Sequence, residues 1–291
     1  MSAPGPSAIV VLSAKCSGST ALHRALERSS AISAAAWTQH EELETLYWTK
    51  AASVLGRPQD RMVESVVPLP ADVARRSLDE FLVENGATGL TPEPGETELI
   101  DRWIELRRLH EPCFLEKSPH HLRQVAALEL LAEAMRRDEG CRYLVIAIVR
   151  NPLDVVYSAW RRFRYRPEQY QWEWVATYEN LEVAAGLYGD RFVQLRYEDL
   201  VTGPTDLFDR VADLVGVPAS TWEDRGGLHG GSLRRWSTDP AFGFSLHPDV
   251  VRSARSYGYD EDELRNPQAS RTWPFRREAL RVRRRLRDAR R

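Results

Sequence analysis

The sequence predicts an α/β fold in three layers, with a central parallel sheet, helices on both faces and a helical insertion over the active site. Three observations predict it. The runs "AIVVLSA" (8–14) and "CRYLVIAIV" (141–149) are rich in β-branched and apolar residues at consecutive positions rather than alternating, as strands buried on both faces are. Helix-patterned segments follow such runs, and that alternation is the mark of parallel crossover connections. The chain has 291 residues, 43% of them apolar, which suits a single α/β domain over 1–291 with insertions and a sizeable core.

The elements follow in order. "MSAPGPS" (1–7) reads as a loose tail ahead of the first strand. "STALHRALERS" places Leu22, Ala25 and Leu26 at helical spacing. Residues 50–111 are mostly helical in pattern, broken around "TGLTPEPGETE". They read as an insertion capping the sheet's carboxyl edge, where open α/β sheets bind ligands. "CFLEKS" (113–118) is a short strand, and "LEKSPHHLRQVAALELLAEAMRR" turns helical after Pro119. In "NPLDVVYSAWRRF" Asn151 is the cap and Pro152 the first helical residue. "RFVQLRYEDL" (191–200) reads as a strand ending in polar residues, and "PTDLFDRVADLVGV" as an amphipathic helix closed by Gly216.

A net charge of −2 gives no global argument for nucleic acid, and none is expected as a partner. The charge is uneven: "RREALRVRRRLRDARR" (276–291) carries nine arginines against one Glu and one Asp. This basic terminus is a solvated helix or tail, or a contact for an anionic partner. Cys16, Cys113 and Cys141 show neither metal-ligand spacing nor a disulfide framework. No signal peptide and no run of transmembrane length is seen, so a soluble cytoplasmic protein is expected. Its oligomeric state is left open.

Of 40 basic residues only Lys15, Lys50 and Lys117 are lysines. Lys15 opens "KCSGST", a small-residue turn between the first strand and its helix. Such a turn aims backbone N–H groups and a helix N-terminus at one point. Ser17, Gly18, Ser19 and Thr20 leave room for a phosphate, and Lys15 adds charge: an anion cradle, or else an ordinary turn with hydroxyl capping. The pattern G-x-x-x-x-G-K-(S/T) is absent, because here the lysine precedes the glycine. The best strand ends in Arg150 rather than in a magnesium-binding carboxylate. Ser158, on the second turn of the next helix, would share one phosphate with it. The other reading pairs Arg150 with a surface carboxylate and makes Ser158 core filler.

"SAKCSGSTALHRAL", "IVRNPLDVVYSAW" and "LRYEDLVTGP…VADLVGVP", in this order over residues 8–218, resemble the sulfotransferases that use 3′-phosphoadenosine 5′-phosphosulfate (PAPS). The resemblance implies a P-loop-like fold, PAPS as co-substrate, 3′-phosphoadenosine 5′-phosphate (PAP) as product, and no metal. It implies that Ser17, Gly18, Ser19 and Thr20 wrap the 5′-phosphosulfate, that Arg150 and Ser158 hold the 3′-phosphate, and that Tyr197 lies beside the adenine. The family usually has Lys or Arg directly before S-G-(S/T)-T. That position is Cys16 here, so either Lys15 reaches the bridging oxygen by a shifted path or Lys117 takes the role. "FLEKSPHHL" resembles the carbohydrate and tyrosyl-protein branches, where the lysine of K-(S/T)-P meets the transferring group or acceptor. "HGGSLRRWSTDP" resembles the loop that closes over the nucleotide, with Gly230, Gly231 and Ser232 as donors and Arg234 or Arg235 as the cation.

Sulfuryl transfer needs a base for the acceptor's proton. "WTQHEELETLYW" (37–48) occupies the family's place for it. Glu41 is favoured there, then Glu42 and His40, since neighbouring acids raise one another's pKa. Glu44 belongs to the same cluster, and His120 and His121 are runners-up. The acceptor expected is a small molecule or glycan bearing a hydroxyl, less readily an amine. Two rivals stay open: a small-molecule or nucleoside kinase on a similar sheet, and a nucleotide-binding relative without turnover.

Overall fold

The computed structural model describes residues 5–40, 42–63, 65–203, 205–224, 227–270 and 273. The basic terminus 276–291 lies outside them, as does Glu41. Strands β1 (Ser7–Ser13), β2 (Ile32–Ala34), β3 (Cys113–Lys117), β4 (Arg142–Val149) and β5 (Phe192–Arg196) form one sheet in the order β2-β3-β1-β4-β5. Every neighbouring pair is parallel. In register, Val11 lies opposite Lys117 on one side and Ile146 on the other. The carboxyl ends of β1, β3 and β4 therefore sit side by side. The chain leaves β1 toward β3 on one flank and later fills β4 on the other, so the crevice between them is a topological switch point.

Alternation along β1 divides the core. Ala8, Val10 and Leu12 join one apolar cluster, Ile9 and Val11 the other. The second cluster is covered by α1 (Ser19–Leu26), which brings Leu22 and Leu26, and by a later helix (Leu207–Val215), which brings Val211 and ends on left-handed Gly216. The first cluster is larger. It takes α2 (Tyr47–Val54), α3 (Ala71–Glu84) and α4 (Glu96–Leu109), whose Tyr47, Trp48 and Trp103 pack ring on ring and reach Phe114 of β3. These three helices fall in the stretch read as an insertion. The turn just ahead of α2, residues 38–46, is the part that lines the cleft described below.

After β3 the helix predicted from Pro119 is two, α5 (Pro119–Leu122) and α6 (Val125–Arg137), with a break at Arg123 and Gln124. Beyond β4 come α7 (Pro152–Phe163), α8 (Pro167–Tyr178) and α9 (Leu181–Tyr188). Asn151 caps α7 by accepting from Leu153 N at 2.8 Å, with Pro152 at the first turn as the sequence predicts. One expectation is corrected. The strand read over 191–200 ends at Arg196, and Tyr197–Thr202 is helix α10. Glu198 and Asp199 stand in its first turn, where carboxylates favour a helix N-terminus. The Leu207–Val215 helix is then α11, followed by α12 (Pro248–Ser256) and α13 (Glu261–Leu264). No described helix is long and apolar enough to cross a membrane.

At the amino edge of the sheet one buried carboxylate ties three elements together. Asp138, just past α6, accepts Arg107 Nε at 2.9 Å and Nη2 at 3.0 Å from α4, and Tyr143 Oη at 2.8 Å from β4. Its side chain is wholly buried. Asp138→Ala should cost about 3–5 kcal/mol in urea unfolding, because Arg107 Nε and Nη2 would be left buried without an acceptor, Glu111 answering Nη1 alone.

Candidate active site

The loop between β1 and α1 turns twice through left-handed backbone, at Cys16 (φ 70°) and Gly18 (φ 91°). Gly18 also needs to lack a side chain. A Cβ there would lie 2.2 Å from Cε2 of Tyr197, whose ring fills the flank of the loop. Arg150 stacks on that same ring, with its guanidinium carbon 4.6 Å from the centroid. Beneath the loop, buried Tyr178 donates to the Ile148 carbonyl at 2.9 Å. It accepts from Ala14 N at 3.3 Å and meets Ser17 Oγ at 2.9 Å. Ser17 is thus turned inward. Lys15, Cys16, Gly18, Ser19 and Thr20 line a cleft of about 170 Å³, with Glu42, Glu44, Arg150, Ser158, Arg162 and Phe163 among its other walls.

Arg150 is buried, and its donors reach both ways. Nη1 bonds the Cys16 carbonyl at 3.2 Å, and Nη2 bonds Ser232 O at 3.2 Å and Oγ at 3.3 Å. Its Nε has no hydrogen-bond partner among the described residues. Arg150, Ser158 and Arg162 also border a second cleft of about 290 Å³, completed by Asp154, Tyr157, Arg161, Ser232 and Arg235. The structure thus brings Arg150 and Ser158 to one place, as their spacing predicts. Of the two candidate cations after Ser232, Arg235 faces the cleft. Arg234 turns through left-handed backbone (φ 52°), its guanidinium bonding Asp262 O at 3.2 Å and lying over the buried Trp236. Gly231 N is held by His229 Nδ1 at 3.2 Å, and Gly230 begins the same short turn.

The two lysines diverge. Lys15 lines the cleft and runs to the end of α7, where Nζ donates to Tyr165 Oη at 2.9 Å. Lys117 is fully buried below the loop. It donates to Thr20 Oγ1 at 3.3 Å and to the Glu42 carbonyl, and lies 3.5 Å from Glu44. Burial pushes the Cys16 thiol up to about 11 against the pull of Ser158 and the nearby cations, so this sulfur adds no charge at the usual cation position.

The 38–44 turn delivers two carboxylates. Glu42 accepts from Thr20 Oγ1 at 3.2 Å and pairs with Arg162; Glu44 lies 3.4 Å from His120 Nδ1. The acids do not raise one another's pKa, because each has its own cation. Burial pushes Glu42 up, yet Arg162, Thr20 and Lys117 together outweigh it and hold the carboxyl below its usual range. Burial also opposes Glu44, yet His120 and Lys117 hold it down to about 2. His40 is pushed down to about 4 by burial and by Lys50. His121 is committed to the scaffold: Nε2 accepts from Trp48 N at 3.2 Å and Nδ1 is 3.7 Å from buried Glu116.

Sequence reasoning missed Tyr178, Phe163 and Tyr165. Phe163 and Tyr178 sit in aromatic-rich helices and Tyr165 in the turn between α7 and α8, where nothing in the spacing separates them from core residues.

The family model described as "Sulfotransferase family" matches residues 6–224. The chain belongs to that family. Two solved structures share the fold of this sulfotransferase family member. The sulfotransferase domain from the Synechococcus PCC 7002 olefin synthase is 20% identical with a TM-score of 0.53, over 88% of this chain and 96% of that one. The sulfotransferase domain from the curacin biosynthetic pathway is 20% identical with a TM-score of 0.54, over 88% and 98%. No curated protein matches the sequence.

Two predictions follow from this geometry. Gly18→Ala should destabilise the fold by about 1–3 kcal/mol, from left-handed strain and the clash with Tyr197. Adding Tyr197→Ala should make the double loss smaller than the sum, as thermal melts of the full cycle would read. Asp154 is pushed up from 3.8 to about 6 by burial, with Arg150 pulling it back. Its folded pKa exceeds the unfolded one, so its share of stability is full below about pH 3.8 and is lost as pH rises through 6. The loss is about 3 kcal/mol. Asp154→Asn should remove this slope from urea midpoints taken across that range.

Proposed function

We propose that this sulfotransferase family member transfers a sulfuryl group from PAPS to a hydroxyl acceptor. The observation that carries the reading is the convergence of the 15–20 loop, Arg150 and Ser158 on adjoining clefts rich in arginine. The fit to a nucleotide with two anionic ends is supported by the unpartnered Nε of buried Arg150 and by the Gly18 turn, which leaves the loop backbone open to a ligand. The phosphosulfate anhydride of PAPS supplies the sulfuryl group, its S–O bond to the 5′-phosphate breaking to release PAP. The chain's own residues bind and orient it. Arg150 and Ser158 take the 3′-phosphate, and backbone N–H groups of Gly18, Ser19 and Thr20 face the 5′ end. Tyr197 flanks the base. Lys15 supplies the ammonium at the bridging oxygen in place of Cys16. Lys117 acts from beneath, through Thr20 and the 42–44 turn. Arg235, with Gly231 and Ser232, borders the 3′ side.

Fixed cations and amides of this kind stabilise charge that develops on a leaving group. Glu42 is the proposed base. It lines the cleft, is ionised at neutral pH, and stands beside Thr20 on the loop. Glu41 lies outside the described residues, so its part is tested directly rather than read from geometry.

Calorimetric titration with PAP tests the donor reading. Binding should persist in excess chelator, and Arg150→Ala should weaken it by about 1.5–3 kcal/mol, the worth of a charge-assisted phosphate contact. Unchanged affinity in Arg150→Ala overturns the 3′-phosphate assignment. Labelled PAPS with a panel of hydroxyl compounds should then show transfer. In that assay Glu42→Gln should cut kcat about 100-fold or more and leave PAP affinity intact. The same loss in Glu41→Gln, with Glu42→Gln active, moves the base by one residue.

A further inference from the structure

We infer that Phe163 and Tyr165 are positioning residues that hold the Lys15 ammonium at the wall of the donor cleft, a reading that rests on the PAPS assignment above. Lys15 Nζ is 4.6 Å from the Phe163 centroid and 5.2 Å from that of Tyr165, and it donates to Tyr165 Oη at 2.9 Å. The two rings stack on each other at 5.3 Å and 25°. Arg164, between them, ends α7 in left-handed backbone (φ 65°), and this turn lets residues 163 and 165 meet face to face. The clamp is itself anchored, since Tyr165 packs at 5.2 Å on fully buried Tyr170 of α8.

The chemistry of the contact matters. An aromatic face and a phenol fix an ammonium without cancelling its charge, which a carboxylate would do. Among the described residues the contacts of Lys15 are of this kind. A lysine has four rotatable bonds. The clamp restricts that freedom. Arg162 lies over the same ring, its guanidinium carbon 5.0 Å from the Phe163 centroid, so one side chain sets the places of two cleft cations.

The chain has three lysines, so a carbon-13 lysine spectrum of the full-length protein holds three side-chain signals, and Lys15→Arg assigns the one from Lys15. Ring currents should shift its Hε protons upfield, and Phe163→Leu should return them to the free-lysine position. Phe163→Tyr should keep the shift. Tyr165→Phe, which retains the ring, should change it less. In titrations with PAPS and PAP, Phe163→Leu should weaken PAPS about three- to tenfold while PAP stays within about twofold, because Lys15 meets the sulfuryl end. A Lys15 signal at the free-lysine position in the parent protein, or one unmoved by Phe163→Leu, overturns the clamp. So does unchanged PAPS affinity in a variant whose Lys15 signal has moved. If the parent binds neither nucleotide, the donor reading falls, and the spectra still decide the clamp.

Discussion

One buried guanidinium joins the segments that form the cleft. Arg150 bonds the carbonyl of the first loop and both oxygens of Ser232, and it leans on the ring that abuts Gly18. Its own carbonyl is held by Trp174 Nε1 at 2.8 Å. Taking a charge out of water costs several kcal/mol unless polar partners replace the solvent. Here carbonyl dipoles and a π face do so, and none of them cancels the charge. The nearest carboxylate among the described residues, Asp154, is 3.9 Å away, and its pKa of about 6 leaves it ionised at neutral pH. Four arginines, Arg150, Arg161, Arg162 and Arg235, border the same cleft, so its charge stays net positive.

The opposite wall is built the other way. Glu42 faces Arg162, and Glu44 faces Lys117 and His120, so each charge there is answered within the wall. Behind them Thr45 Oγ1 donates to buried Glu116 at 2.8 Å, and Leu46 N donates to Ser118 Oγ at 2.9 Å. The "EKS" end of β3 thus fixes the turn that carries the acids, and Lys117 belongs to that support. One wall carries an excess of positive charge. The other is balanced and presents carboxylates in defined places.

The sheet was legible because β1 and β4 carry consecutive apolar residues through 8–12 and 143–149, a pattern that strands buried on both faces sustain. Asn151, Pro152 and Gly216 were legible because capping chemistry is local: a cap's partner lies two to four residues away. β2 was not, since three residues carry no period. The end of β5 was misplaced because Tyr197 suits strand and helix alike, and Glu198 and Asp199, which stand in the first turn of α10, read equally as a polar strand end. The cradle, Arg150 and Ser158 could be read from spacing along single segments. The routes of Lys15 and Lys117 could not, because the partners that direct them lie far along the chain, at Tyr165 for the first and at Thr20 and Glu42 for the second.

Tyr178 carries a further consequence. Its hydroxyl, seated on a β4 carbonyl, is shared by Ala14 and Ser17 of the loop, and its ring belongs to α8. The loop therefore has no independent hinge at its base. Opening it breaks contacts that also bind a helix to the sheet, so the loop is cooperative with the body of the fold and does not fray as surface loops do. On the donor reading proposed above, an incoming nucleotide meets a loop already set, and little of its binding energy is spent on ordering the backbone that receives it.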